Sequence, residues 1–143
     1  MTGEFRRGAV SFRYPADWQL EMEETDDDGW TVTLQGDGTA FLLVCLRPDA
    51  DDPLQVADEA LAVLQSEYPE LDAVEAQESI AGRPGIGHDI DFLTLDVTVN
   101  CRTRVLDTTE GPLLLMAQAS DLDRSQADPL LKAVWASLVI EDE

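Results

Sequence analysis

The chain opens on a period of two. Val10, Phe12 and Tyr14 alternate with smaller or polar residues, Pro15 breaks the phase, and Trp18, Leu20 and Met22 resume it, which predicts two short strands on either side of a turn. An acidic turn from Glu23 to Gly29 follows, and Trp30, Val32 and Leu34 then alternate up to Gly36-Asp37-Gly38. Beyond that turn Ala40 to Leu46 is apolar at nearly every position, so the pair reads as a β-hairpin whose second strand is covered on both faces, with the Trp30 strand half exposed.

The period then lengthens. Asp52-Pro53 supplies an N-cap and a proline at the first helical position, and Leu54, Ala57, Leu61, Leu64 and Tyr68 fall on one stripe of a helix that ends before Pro69. Val74 to Ile80 reads as a strand leading to a Gly82–Gly87 turn. Ile86 to Leu106 carries two alternating phases that meet near Phe92 and Leu93, which predicts one or two strands with a bulge or bend. After a turn at Glu110-Gly111-Pro112, Leu113 to Ala119 forms another strand apolar on both faces. Ser125 to Leu138 closes the chain as a helix, with Asp128-Pro129 as its capped start and Leu131, Val134, Trp135 and Leu138 as its buried stripe. The fold class is therefore α+β: an α/β/α sandwich with a central, mainly antiparallel sheet flanked by two main helices at about 52–68 and 125–138, in a single domain over 1–143.

Composition narrows the function. The 143 residues are 44% hydrophobic, enough for a sizeable core, but carry 30 Asp plus Glu against 9 Lys plus Arg, a formal net charge of -21. Nucleic acid and anionic membrane surfaces are excluded as partners by that charge, because phosphate binding depends on clustered basic residues and the nearest approaches here are Arg6-Arg7 and Arg102 with Arg104. No leader-like apolar run follows the N-terminus and no stretch is long enough to span a bilayer, so a soluble, cytoplasmic protein is expected. The C-terminal Glu141-Asp142-Glu143 is expected to fray.

The aromatic-x-Tyr-Pro-x-x-Trp opening, Phe12-Arg13-Tyr14-Pro15-Ala16-Asp17-Trp18, the amphipathic helix at mid-chain and Val134-Trp135-Ala136-Ser137-Leu138 near the end together resemble the PsbP-like superfamily over nearly the whole chain. The resemblance implies an α/β/α sandwich and a role in binding other macromolecules, since the superfamily includes the photosystem II protein PsbP, a Ran-binding nuclear import factor and bacterial relatives, some of them secretion-effector chaperones. It transfers no site residue, and a fold alone does not fix a function.

Candidate chemistry is sparse. Gly82, Gly85 and Gly87 match neither a dinucleotide fingerprint nor a P-loop and read as a turn. Asp26-Asp27-Asp28-Gly29 resembles a calcium loop only superficially, because Glu24 and Gln35 occupy its first and twelfth positions. His88, Asp89 and Asp91 form the one His-carboxylate cluster, yet on a strand the two aspartates share a face and His88 takes the other. Cys45 and Cys101 read as buried free thiols, and nothing beside them lowers a thiol pKa. Trp18, Trp30 and Trp135 are in phase with apolar stripes, with Trp30, beside an acidic turn, the one to test for exposure.

No catalytic residue, metal or cofactor is therefore expected, and the binding candidates are Trp30, His88, Asp89 and Asp91. The expected function is a non-catalytic protein-interaction module, adaptor or accessory, with an acidic surface and another protein as partner. The alternatives are a secretion-effector-type chaperone, for which a homodimer would be natural, and a small-molecule carrier or minor enzyme with a pocket between sheet and helix. A binding module predicts an exposed apolar patch bordered by acidic residues.

Overall fold

A computed structural model describes residues 2–26, 28–36 and 38–141; Asp27 and Asp37 of the two acidic turns and the tail residues Asp142 and Glu143 lie outside the described residues. Ten strands and two helices follow one another as β1 (Thr2–Arg7), β2 (Val10–Pro15), β3 (Gln19–Glu24), β4 (Trp30–Gln35), β5 (Phe41–Leu46), α1 (Pro53–Glu67), β6 (Asp72–Ile80), β7 (Arg83–Thr94), β8 (Val97–Thr108), β9 (Gly111–Ser120), α2 (Arg124–Ala136) and β10 (Val139–Ile140). Seven strands form one antiparallel sheet in the order β3-β4-β5-β9-β8-β7-β6, and β1, β2 and β10 form a second, small sheet. The α+β sandwich is as the pattern predicts; the small sheet is not. Its β1 carries only Phe5 as a buried apolar side chain and β10 is two residues long, so neither has a period to read.

The Tyr-Pro-x-x-Trp segment is the joint between the two sheets. The Trp18 amide donates to the Pro15 carbonyl at 3.0 Å, closing a turn that carries the chain from β2 in the small sheet to β3 in the large one, while Phe12 and Trp18 are both buried. Phe5 and Phe12, with ring centroids 5.0 Å apart, then fasten the small sheet over Trp30, 5.4 Å from Phe5.

Alternation along β8 and β9 divides the core into two layers. Val99, Cys101 and Val105 face α1, where they meet Val56, Ala57, Leu61 and Leu64, and Tyr68 stacks on Phe92 at 4.1 Å. Leu106, Leu113, Leu115, Ala117 and Ala119 face the other way, onto α2 and the small sheet, meeting Leu131, Val134 and Trp135. The α1 cap is as expected, Asp52 Oδ1 accepting from the Gln55 amide at 2.9 Å with Pro53 inside the first turn. Leu54, assigned by its period to the buried stripe, is exposed, and Val56 takes its place.

Three local features depart from the pattern. The helix α2 starts at Arg124 after Asp123, so Pro129 lies inside it and Asp128 caps nothing; the Asp128 carboxylate instead pairs with Arg102 and Arg124. Asp123 gives its helix no side-chain cap because its carboxylate accepts from the Thr39 amide and hydroxyl at 2.7 and 2.6 Å. The two phases between Ile86 and Leu106 are two strands, as one of the expected alternatives had it, but a hairpin turn at Leu95-Asp96, with Leu95 at φ 51, joins them in place of a bulge or bend. The Gly82–Gly87 segment splits likewise. Ala81 and Gly82, both at positive φ, make the β6–β7 hairpin turn, and Gly87 lies within β7, where a Cβ would stand 1.9 Å from the Thr103 carbonyl oxygen.

Candidate functional site

The large sheet is wider than the layer that covers it. On the α1 side, α1 lies across β7, β8 and β9; on the opposite side, α2 lies over β9 and β2, comes near the end of β6 at Ile80, and leaves β7 and the rest of β6 open. Strand register puts Asp72, Val74, Ala76 and Glu78 of β6 and Asp89, Asp91 and Leu93 of β7 on this open face, because Val74 pairs with Asp89 and Asp89 with Arg102, which reaches Asp128 on α2. Val74 is 68% and Leu93 65% exposed. At the end of the sheet beyond Leu93, Leu95 in the β7–β8 turn is 97% exposed and Leu122 follows in the turn after β9, tied to β8 by the Asp121 amide donating to the Thr98 carbonyl at 2.9 Å. Exposed Asp72, Asp89 and Asp91 share the face with Val74 and Leu93, and exposed Asp96 and Asp121 are the chain neighbours of Leu95 and Leu122.

Three strands of this face are tied together by a side chain that the sequence marked only as a basic neighbour of Arg102. Arg104, 6% exposed, spreads its guanidinium across three strands: Nε donates to Glu78 on β6 at 2.7 Å, Nη2 to Asp89 on β7 at 2.8 Å, and Nη1 to the Thr103 and His88 carbonyls at 2.8 and 3.3 Å. Sequence spacing gives no sign of this, since Glu78 and Arg104 are brought together only by two hairpins.

Of the four candidate residues, Trp30 is removed from the surface: at 3% exposure it packs under Phe5. Its neighbours in phase, Val32 and Leu34, are equally buried, so the half-exposed reading of that strand applies only to Thr31 and Thr33. His88 and the aspartates diverge. His88 faces α1, while Asp89 and Asp91 lie on the open face, where Asp89 pairs with Arg104 and Asp91 Oδ1 accepts from the Asn100 side-chain Nδ2 at 3.1 Å. No acid-base pair is assembled. Among the described residues no group of three or more His, Cys, Asp or Glu side chains is placed to hold a metal ion.

His88 lies in a second feature, a cleft of about 350 Å³ between α1 and the β6–β7 hairpin, floored by Leu54, Ala57 and Ile86. The imidazole is 8% exposed and its Nδ1 has no partner within the protein. The cysteines stand apart: Cys45 on β5 accepts from the Thr31 hydroxyl at 3.3 Å, Cys101 on β8 is buried under α1, and the two form no disulfide with each other. Burial pushes the Cys101 thiol up to about 12, against a smaller opposing pull from Arg102.

At the level of sequence, no family model matches the chain and no curated relative does. At the level of structure it resembles several solved proteins. A protein of unknown function, PA94 from Pseudomonas aeruginosa, shares 14% identity with a TM-score of 0.61 over 99% of both chains. Cyanobacterial PsbP from Synechocystis shares 12% identity with a TM-score of 0.62, over 97% of this chain and 92% of that one. LpqN of Mycobacterium tuberculosis, involved in cell envelope biogenesis, shares 16% identity with a TM-score of 0.56, over 97% of this chain and 84% of that one. The fold is therefore PsbP-like. No helix among the described residues is long and apolar enough to cross a membrane.

Proposed function

We propose that this chain is a protein-interaction module whose open sheet face receives a basic, partly apolar segment of another protein. The observation that carries this reading is the exposure of Val74 and Leu93 on one sheet face that also carries Asp72, Asp89 and Asp91, with exposed Leu95 and Leu122 in the turns at the end of the same sheet. Apolar area supplies the affinity of such a contact, and the carboxylate border selects the sign of the partner and speeds its encounter. A net charge of -21 supports the same choice of partner and opposes self-association. A second copy is the competing occupant, but the outer strands β3 and β6 carry Glu21, Glu23 and Glu24 on one edge and Asp72, Glu75 and Glu78 on the other, which set like charges against each other in any edge-to-edge pairing.

The test is capture from cell extract with the wild-type chain and with a Val74→Asp, Leu93→Asp variant, at low and high salt. A basic protein retained by the wild type, lost from the variant and weakened by salt is the expected result. Retention of the same protein by the variant overturns the assignment of the surface, and recovery of the chain's own copy alone replaces the partner with a homodimer. A chaperone for a secreted protein is one form of this reading. A small-molecule carrier is the second reading, favoured by the cleft beside His88 and checked by titrating apolar ligands while following the resonances of the chain's single imidazole.

A further inference from the structure

An arginine Nε and an indole Nε1 donate hydrogen bonds and accept none, so a buried one lacking an acceptor is completed only by an incoming lone pair. Among the described residues three buried side-chain polar atoms have no partner within the protein, and two of them, Arg102 Nε and Trp135 Nε1, belong to side chains that line one cleft. This cleft, of about 440 Å³, lies between the end of β6 and the last turns of α2. Arg102 rests over the indole, its guanidinium carbon 5.8 Å from the Trp135 ring centroid, so the two donors sit on neighbouring groups.

The surrounding charges leave this corner short of acceptors. Arg102 Nη2 reaches Asp128 at 3.2 Å, but the other oxygen of that carboxylate is taken by Arg124 at 3.3 Å. Glu78, the one acidic residue in the lining, is turned to Arg104, whose Nε donates to its Oε1 at 2.7 Å, and not to Arg102 or Trp135. Lys132, the single lysine of a chain otherwise dominated by acids, stands exposed at the cleft and brings a third donor group. The remaining walls are apolar: Ile80, Ala81, Ala136 and the indole itself.

We propose that this cleft binds a monocarboxylate carrying a short apolar body, with the carboxylate bridging Arg102 Nε, Trp135 Nε1 and the Lys132 ammonium and the hydrocarbon against Ile80 and Ala136. A single charge suits the place better than two, because the last turn of α2 ends here with its carbonyls and Glu78 and Asp128 are close, so a dianion meets about twice the repulsion that a monoanion does. Both donors are shielded from solvent, so binding requires Arg102 to slide along the indole face, a movement that a flexible arginine stem permits. Two sources share this chemistry, a free short-chain acid and the C-terminal α-carboxylate of a partner chain ending in an apolar residue. The site is separate from the apolar patch around Leu93, and its failure would leave that assignment standing.

The experiment is titration of the ¹⁵N-labelled full chain with butyrate, following the indole N–H resonance that Trp135→Phe removes. Chloride at matched ionic strength and n-butanol serve as controls. The expected result is a saturable displacement of the Trp135 resonance by butyrate alone, with affinity lowered about tenfold in Lys132→Gln and lost in Arg102→Gln. A short peptide with a free apolar C-terminus binding more tightly than both butyrate and its own C-terminal amide identifies the chain-end source; a peptide no tighter than butyrate identifies the free acid. A resonance that does not move, that moves equally with chloride or butanol, or that responds unchanged in Lys132→Gln overturns the site. The exposed Lys132 change keeps the test decisive if Arg102→Gln fails to fold.

Discussion

Arg104 is the residue on which the open face depends. It satisfies two carboxylates and two carbonyls from a nearly buried position, and removing it leaves Glu78 and Asp89 to solvent and the Thr103 carbonyl without its donor. Because both carboxylates are about half exposed, their desolvation cost is small, and Arg104→Ala is expected to lower stability by about 2 kcal/mol in a denaturant titration. Cys101 gives a pH signature. Its thiol is held protonated in the folded chain from the ordinary 9.0 up to about 12, so the native state binds the proton more tightly than the unfolded state, and stability falls as pH rises through that window. Iodoacetamide at neutral pH is expected to label half-buried Cys45 before Cys101, which reacts only after unfolding. Asp123 acts in the opposite direction. Hydrogen bonds from Thr39 hold its carboxyl below the usual range, so its contribution is present above that range and lost as pH falls through the lowered value. Acid unfolding of Thr39→Val should therefore begin from a lower plateau and show a shallower decline.

At the scale of elements, β4, β5, β9 and α1 were legible because each sequence stretch serves one periodic demand: alternation for a half-covered strand, continuous apolarity for a strand between layers, a capped stripe for a helix. The helix at 125–138 was placed within a residue of the observed start of α2, but its cap was misassigned because Asp128-Pro129 imitates the Asp52-Pro53 signal, whereas Pro129 follows five residues already in the helix. That position predicts opposite outcomes for similar changes. Asp52→Ala should cost about 1 kcal/mol through the lost cap, while Pro129→Ala restores a backbone donor and should stabilise α2 by about 1 kcal/mol, both read by thermal melting. The β7–β8 hairpin was left between one and two strands with a bulge or bend because Leu95, an apolar residue at positive φ, occupies a turn position that glycine or asparagine would have announced. Of the candidate site, the divergence of His88 from Asp89 and Asp91 followed from strand geometry alone. The open face and the Arg102–Trp135 cleft did not, because both arise from how far α2 reaches across the sheet, a tertiary fact with no local signature.

At the scale of the whole molecule, charge and shape meet. A net charge of -21 on 143 residues makes self-repulsion a standing cost of the compact state, so the melting temperature is expected to rise with added salt; a melting temperature independent of salt would show that the carboxylates are compensated within the fold. Partner binding has the opposite salt dependence if basic residues carry it, so one salt series separates folding from recognition. The most direct measurement of that recognition is hydrogen exchange of the captured complex, peptide by peptide, against the free chain. New protection over 72–78, 89–96 and 121–123, with α1 unchanged, is the predicted result. Protection confined to α1 and the β5 region, with the β6–β7 face exchanging as in the free chain, would contradict it.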